Sequence, residues 1–290
     1  MPRRPASKDV VGDATGMAAR AFVPGHITGF FTAHRHEDPD IAGSTGAGVT
    51  LSDGVTVTCQ PASTTRVAID GRPRAVEPVG RVLDALGITA EITVQTDLPI
   101  GAGFGVSGAM TLGTALAANR AFGCGLTENE LIAHAHRAEV RSATGLGDVV
   151  AQARGGIPVR LAPGGPAHNE LDGIPTASRI EYHSFGSLST EAVLTGETEA
   201  NTDPGTAALD RLLDAPTLPR LMRESRRFAD ESGLLTDRVA AAIDAVTAAG
   251  GEAAMAMLGR TVFALDTGLS DAGFPAESCT THSAGATLVL

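Results

Sequence analysis

Apolar and polar positions alternate at period two through GVTLSDGVTVTCQPASTTRVAIDG and again through ITAEITVQTDLPI. Alternation of this kind marks strands with one buried face. Asp53-Gly54 and Asp70-Gly71 punctuate the first stretch, which predicts hairpins. Upstream, MAARAFVPGHITGFF predicts a short apolar strand ending at Pro24-Gly25. The spacing then turns helical in PVGRVLDALG, which closes on Gly87. Two helices in succession are predicted over roughly 107–122 and 127–141, the second opened by a capping box of Thr127 and Glu130. GGIPVRLAPGG reads as a strand. Beyond Gly165 come a basic helical run, LPRLMRESRRFADESG, and an Ala-rich helix, DRVAAAIDAVTAAGG. AMAMLGRTVFAL and GATLVL are late strands or helix starts. The pattern has no fixed-period repeat and predicts an α+β fold, with a first part to about residue 163 and a second beyond.

Composition narrows the setting. The chain has 290 residues, 43% of them hydrophobic, but no Trp and one Tyr, so aliphatic residues must fill the core. No run approaches the ~18 to 20 apolar residues that cross a bilayer, and MPRRPASKDVVGDATG lacks the apolar centre of a secretory signal. Residues 1–16 are therefore expected to form a disordered tail, and the protein to be cytoplasmic with no membrane partner. Three widely spaced cysteines argue against a disulfide framework. The net charge of -11 disfavours nucleic acid; a homodimer stays open. Lys8 is the single lysine. An acidic chain with arginine in place of lysine fits adaptation to high salt and fits high-GC codon usage equally. For chemistry the consequence is plain: no lysine inside the fold is available for catalysis.

The candidate chemistry centres on LPIGAGFGVSGAMTLG, which contains G-x-G-x-x-G between a strand and a helix. A dinucleotide site needs a second strand ending in an acid about 20 residues on, but the acid at that distance, Glu128, opens a helix. A P-loop needs Gly-Lys-Ser/Thr, and a protein kinase needs a strand lysine; neither is present. What remains is a loop whose main-chain N–H groups, with the N-terminus of the following helix, bind phosphate without lysine. Gly101, Gly103, Gly105 and Gly108 would form it, and Ser107 would offer a hydroxyl to a metal or a phosphate oxygen.

LPIGAGFGVSGA is similar to the Pro-x-Gly-x-Gly-x-x-x-Ser-type loop of the GHMP kinases. More closely, FVPGHITGFF, GSTGAG, GAGFGVSGA, TGLGD and MLGRTVFA, in this order, resemble the archaeal pantoate kinase family. The resemblance runs from about Ala18 to Ala264. It implies a GHMP kinase-like fold, with an N-terminal ATP-binding α/β domain at 17–163 and a C-terminal α+β domain at 164–290 completing the substrate cleft. It also implies ATP-dependent phosphorylation of pantoate to 4-phosphopantoate on the archaeal route to coenzyme A. A kinase for another small alcohol (homoserine, shikimate or mevalonate) and a non-catalytic nucleotide-binding regulator stand as alternatives.

By the same resemblance, Pro99, Gly101, Gly103, Gly105, Ser107 and Gly108 hold ATP, Ser107 and Glu139 hold Mg²⁺, and Asp148 is catalytic. Read from the residues alone, Glu139 is a surface acid paired with arginine, and Asp148 is a helix N-cap. Arg160 offers a guanidinium fork for the pantoate carboxylate, with Arg154 a weaker candidate. His26 is either structural or a hydrogen-bond partner of substrate, and Ser44, in the second glycine loop GSTGAG, is a further substrate contact. Other features read as structural. His34 and His36 sit in a polar, turn-rich segment, His134 and His136 point to opposite sides of a helix, and Cys279 and His282 have no second pair to complete a zinc site. Arg220, Arg223, Arg226 and Arg227 form an ion-pairing helix face. One departure stands out: the third glycine-rich motif of many GHMP kinases is reduced here to Gly259.

Overall fold

The computed structural model describes residues 17–186 and 202–289; the tail expected at 1–16 lies outside them. Strands β1 (Ala19–His34) and β2 (Gly43–Pro61) pair antiparallel over almost their whole length. The hairpin of β3 (Arg66–Ile69) and β4 (Arg72–Pro73) turns at Asp70-Gly71 as expected. Helix α1 (Glu77–Leu86) ends on Gly87 in the left-handed conformation. It is followed by β5 (Ala90–Thr96), α2 (Val106–Phe122), α3 (Glu128–Arg141), α4 (Asp148–Arg154) and β6 (Pro158–Ala162). Next come β7 (Glu170–Gly173) and β8 (Arg179–Ser184), then α5 (Thr202–Asp214), α6 (Leu218–Glu231) and α7 (Asp237–Ala248). The chain closes with β9 (Ala253–Ala256), β10 (Thr261–Leu265), α8 (Gly268–Asp271), β11 (Glu277–Thr280) and β12 (Thr287–Val289).

One sheet of eight strands runs β12-β1-β2-β5-β3-β4, with β6 attached to β2 and β7 to β6. A second sheet of four runs β11-β8-β10-β9. Helix α2 lies on β1 and β2 with α1 and α3 over it. A helix covered on both sides is apolar all round, which is why VSGAMTLGTALAANRAF shows no polar face and buries twelve of its 17 residues. The capping box at Thr127 and Glu130 forms as expected, with the Glu130 carboxylate accepting from the Thr127 main chain at 2.8 Å.

The strand at the front of the chain differs from its expectation. It does not end at Pro24-Gly25 but continues to His34, because the ladder shifts there: Pro24 pairs with Gly54 and Gly25 with Leu51. Ser52 and Asp53 are thereby pushed out of the ladder, so Asp53-Gly54 is a bulge inside one long strand rather than a hairpin turn. Proline gives no ladder hydrogen bond and is tolerated in a sheet at such interruptions. GSTGAG, expected as a glycine loop, is likewise the start of β2, paired with the end of β1. The basic helix carries its arginines as ion pairs: Arg220 with Glu224, Arg223 with Glu252, Arg226 with Asp244 and Arg227 with Glu231. The three cysteines are free thiols.

Candidate active site

The glycine loop follows β5 and delivers the chain into α2. Gly101, Gly103 and Gly105 all take positive φ, and Gly105, at φ 61°, is the N-cap of α2. A side chain at Gly105 would meet Asp148 Oδ1 and Gln152 Nε2 at 3.1 Å. Glycine is thus demanded here twice, by the left-handed backbone and by the approach of α4. Gln152 fastens that approach, its amide donating to the Gly105 carbonyl at 2.9 Å.

Gly101, Gly103, Gly105 and Ser107 line a cleft of about 300 Å³, together with Asp148 and the residues around the start of α1. Gly108 instead packs against Asp148 and Gln152, and Pro99 is exposed at the entry to the loop. A second, smaller cavity is lined by Ser44, Arg160, Phe31 and the Gly145–Gly147 turn. Thr28, Asp148 and Leu258 line both. Asp148 therefore stands where the two cavities meet. It is the first residue of α4, with Gly147 rather than Asp148 as its N-cap.

Asp148 Oδ1 accepts a hydrogen bond from His26 Nδ1 at 2.7 Å. An ionised carboxylate only accepts, so the ring hydrogen lies on Nδ1. Burial pushes the Asp148 carboxyl up, but the His26 N–H and the charge of Arg160 outweigh it and hold the group below the usual range. Burial keeps His26 below its ordinary value, against the pull of Asp148; the ring is neutral and lines neither cavity. Its Nε2 is buried without a partner among the described residues. His26 thus reaches the site through Asp148.

Glu139 is 2% exposed, not a surface acid. Thr111, Thr144 and Ser107 donate their hydroxyls to its carboxylate at 2.6, 2.8 and 2.9 Å. Among the described residues no cation pairs with it, and burial pushes it up to about 7 despite the three hydroxyls. A Cβ at Gly145 would lie 3.0 Å from Glu139 Oε2 and 3.6 Å from Asp148 Oδ2, so both carboxylates face one point. A buried carboxylate without a counter-charge, ringed by oxygen donors, fits a hard divalent ion such as Mg²⁺, which takes few protein ligands and completes its shell with phosphate and water.

Arg160 sits on β6 beside β2 and is 1% exposed. Its Nε donates to the Ser44 carbonyl at 3.3 Å, while Nη1 is buried without a partner among the described residues. Burial lowers its value to about 10, still charged at neutral pH. Ser44 is buried next to it. Arg154 turns away and donates to the Gly155 carbonyl. The histidines dismissed from the sequence stay structural: His136 bonds the Ala42 carbonyl at 2.8 Å, and His34 bonds Thr45.

Sequence reasoning missed Thr28, Thr111, Thr144, Gln152 and Leu258. Signals existed for three of them. Thr28 lies two residues beyond His26 on the same strand face, Thr111 lies one turn beyond Ser107, and Thr144 is five residues past Glu139. Gly259 also has a place: it follows Leu258 in the β9–β10 turn, and a side chain there would strike the Ala102 carbonyl.

The chain matches the GHMP kinases N terminal domain over residues 74–156. It is 40% identical over 269 residues to the pantoate kinase of Thermococcus kodakarensis, covering 86% of this chain and 88% of the relative. It is 35% identical over 260 residues to that of Methanospirillum hungatei, covering 84% and 86%. A solved phosphotransferase related to the CoA biosynthesis pathway superposes with a TM-score of 0.85 at 33% identity, covering 94% of this chain and 99% of that one. With this likeness across more than four-fifths of its length, the chain belongs to the pantoate kinases of the GHMP kinase superfamily.

Proposed function

We propose that this protein transfers the γ-phosphoryl group of ATP to the terminal hydroxyl of pantoate, giving 4-phosphopantoate and ADP for coenzyme A biosynthesis. The observation that carries the reading is Asp148 at the junction of the phosphate cleft and the smaller cavity. Phosphoryl transfer asks for in-line placement and charge neutralisation more than for covalent help from the protein. The main-chain N–H groups of residues 101–108 and the N-terminus of α2 cradle the triphosphate. Ser107 and Glu139 would hold Mg²⁺, which when bound neutralises phosphate charge.

In the smaller cavity, the free Nη1 of Arg160 receives the pantoate carboxylate, with Ser44 beside it. Oδ1 of Asp148 is taken by His26, which leaves Oδ2 for the substrate hydroxyl. That carboxylate has low proton affinity, so its first task is to orient the hydroxyl oxygen toward the γ-phosphorus. As the new O–P bond forms and the bond to the β-phosphate oxygen breaks, the hydroxyl becomes acidic and its proton passes to Asp148 Oδ2. Main-chain amides replace the lysine that the fold lacks. An archaeal, cytoplasmic setting belongs to the same proposal and rests on the resemblance to the archaeal pantoate kinases; the acidic, lysine-poor composition fits a halophilic host and high-GC codon usage equally.

Purified protein incubated with ATP, Mg²⁺ and each of pantoate, homoserine, shikimate and mevalonate, with ADP release followed, tests the reading. Turnover with pantoate far above the others is expected. Preference for another alcohol would replace the substrate, and ATP binding without turnover of any would favour the regulator.

A further inference from the structure

Leu258 is one of four described residues other than glycine with positive φ, at 63°. A branched side chain in this region is strained by about 1 kcal/mol or more, and such strain persists only where the surroundings enforce it. Here they do. Met257 N–H bonds the Thr28 carbonyl at 3.0 Å, and Gly259 is pressed against Ala102 of the glycine loop. The turn is thus wedged between β1 and the phosphate cleft, and the Leu258 side chain lines both cavities. Phe31 and Leu146 supply the other apolar side chains of the smaller cavity, facing the same space as Arg160 and Ser44.

The smaller cavity thus combines three apolar side chains with the Arg160 guanidinium and the Asp148 carboxylate. Pantoate carries the complementary groups: a carboxylate, a hydroxyl-bearing carbon, a quaternary carbon with two methyl groups, and the reacting hydroxymethyl. We infer that Leu258, with Phe31 and Leu146, forms the wall that receives the two methyl groups and selects a branched acceptor over a straight-chain hydroxy acid. The inference rests on the pantoate reading and adds to it the residue that sets specificity. Each methyl group buried in a fitted pocket is worth about 10-fold or more in kcat/KM.

The test compares pantoate with 2,4-dihydroxybutanoate, which keeps both polar ends and lacks the methyl groups, in the wild type and in Leu258→Gly. Glycine suits φ 63° without strain, which offsets part of the packing that Leu258 makes against the core, so the variant is expected to fold. The wild type is expected to favour pantoate by about 100-fold in kcat/KM, and Leu258→Gly to shrink that ratio by about tenfold, through pantoate alone. Leu146→Ala is expected to shrink it in the same direction. A folded Leu258→Gly protein with the wild-type ratio, or a wild type with no preference between the two acids, would overturn the inference while leaving pantoate kinase activity intact. A wild type inert toward pantoate would instead remove the proposed function beneath it.

Discussion

His26 Nδ1 and Asp148 Oδ1 lie 2.7 Å apart although 122 residues separate them in the chain. The contact joins the middle of the longest hairpin to the first turn of α4, and it occupies Oδ1 of Asp148, leaving Oδ2 as the oxygen that the proposed substrate hydroxyl would meet. Replacing His26 with Phe removes the hydrogen bond and the partial charge that lower the Asp148 carboxyl. Turnover is expected to fall by about 10- to 100-fold with little change in KM for ATP. The acid limb of the pH–rate profile is expected to move to higher pH, since the carboxylate then protonates more readily. A lower rate with an unmoved acid limb would reduce His26 to a packing role.

Glu139 predicts a stability effect with a definite sign. Its carboxyl rises from 4.5 in the unfolded chain to about 7 in the folded one, so the native state holds the proton more tightly. The contribution is full below about pH 4.5 and is lost as pH climbs through 7, a difference of about 3 kcal/mol. Glu139→Gln cannot ionise and keeps hydroxyl partners for its amide. Its melting temperature relative to wild type, without nucleotide or metal, is expected to rise between about pH 5 and pH 8. A constant difference across that range would contradict the picture of an uncompensated buried carboxylate.

Arg160→Lys probes the carboxylate site. An ammonium cannot reproduce the guanidinium fork, and the Ser44 carbonyl competes for it. KM for pantoate is expected to rise at least about tenfold with KM for ATP within about twofold. Steady-state kinetics with each substrate varied in turn would detect the reverse pattern if Arg160 served the nucleotide.

Gln152 offers a fourth test. Its amide is the tie between α4 and the Gly105 carbonyl, and losing it frees the loop where it enters α2. Gln152→Leu is expected to weaken binding of a non-hydrolysable ATP analogue by about 5- to 20-fold, through the loss of a buried hydrogen bond. Calorimetric titration showing undiminished affinity in a folded variant would mean the loop holds its shape alone.

Much of this was legible in the sequence, for identifiable reasons. The four glycines in LPIGAGFGVSG and the strand–loop–helix order around them are local signals, and the structure keeps them. The Arg220–Glu224 and Arg227–Glu231 pairs follow from helical spacing alone, whereas Arg223 and Arg226 find Glu252 and Asp244 on later parts of the chain, which spacing does not reveal. The long β1–β2 pair was not legible: Pro24-Gly25 and Asp53-Gly54 carry turn chemistry, but a matched bulge uses both dipeptides inside a continuous ladder. Glu139 read as a surface acid because its partners are three hydroxyls from α2 and the turn after α3, and hydroxyls leave no charge pattern. Leu258 was invisible for a simpler reason. Its importance lies in a backbone angle and in a turn wedged between β1 and the glycine loop, neither of which is written in residue type.

The most direct measurement is Asp148→Asn in wild-type surroundings, with ADP release on pantoate and nucleotide affinity measured on the same preparation. The amide keeps the shape of the carboxylate and loses its charge. The account predicts that kcat falls by about a thousandfold or more while affinity for the ATP analogue stays within about threefold. Phosphorylation of pantoate by the Asp148→Asn variant within about tenfold of the wild-type rate would contradict it.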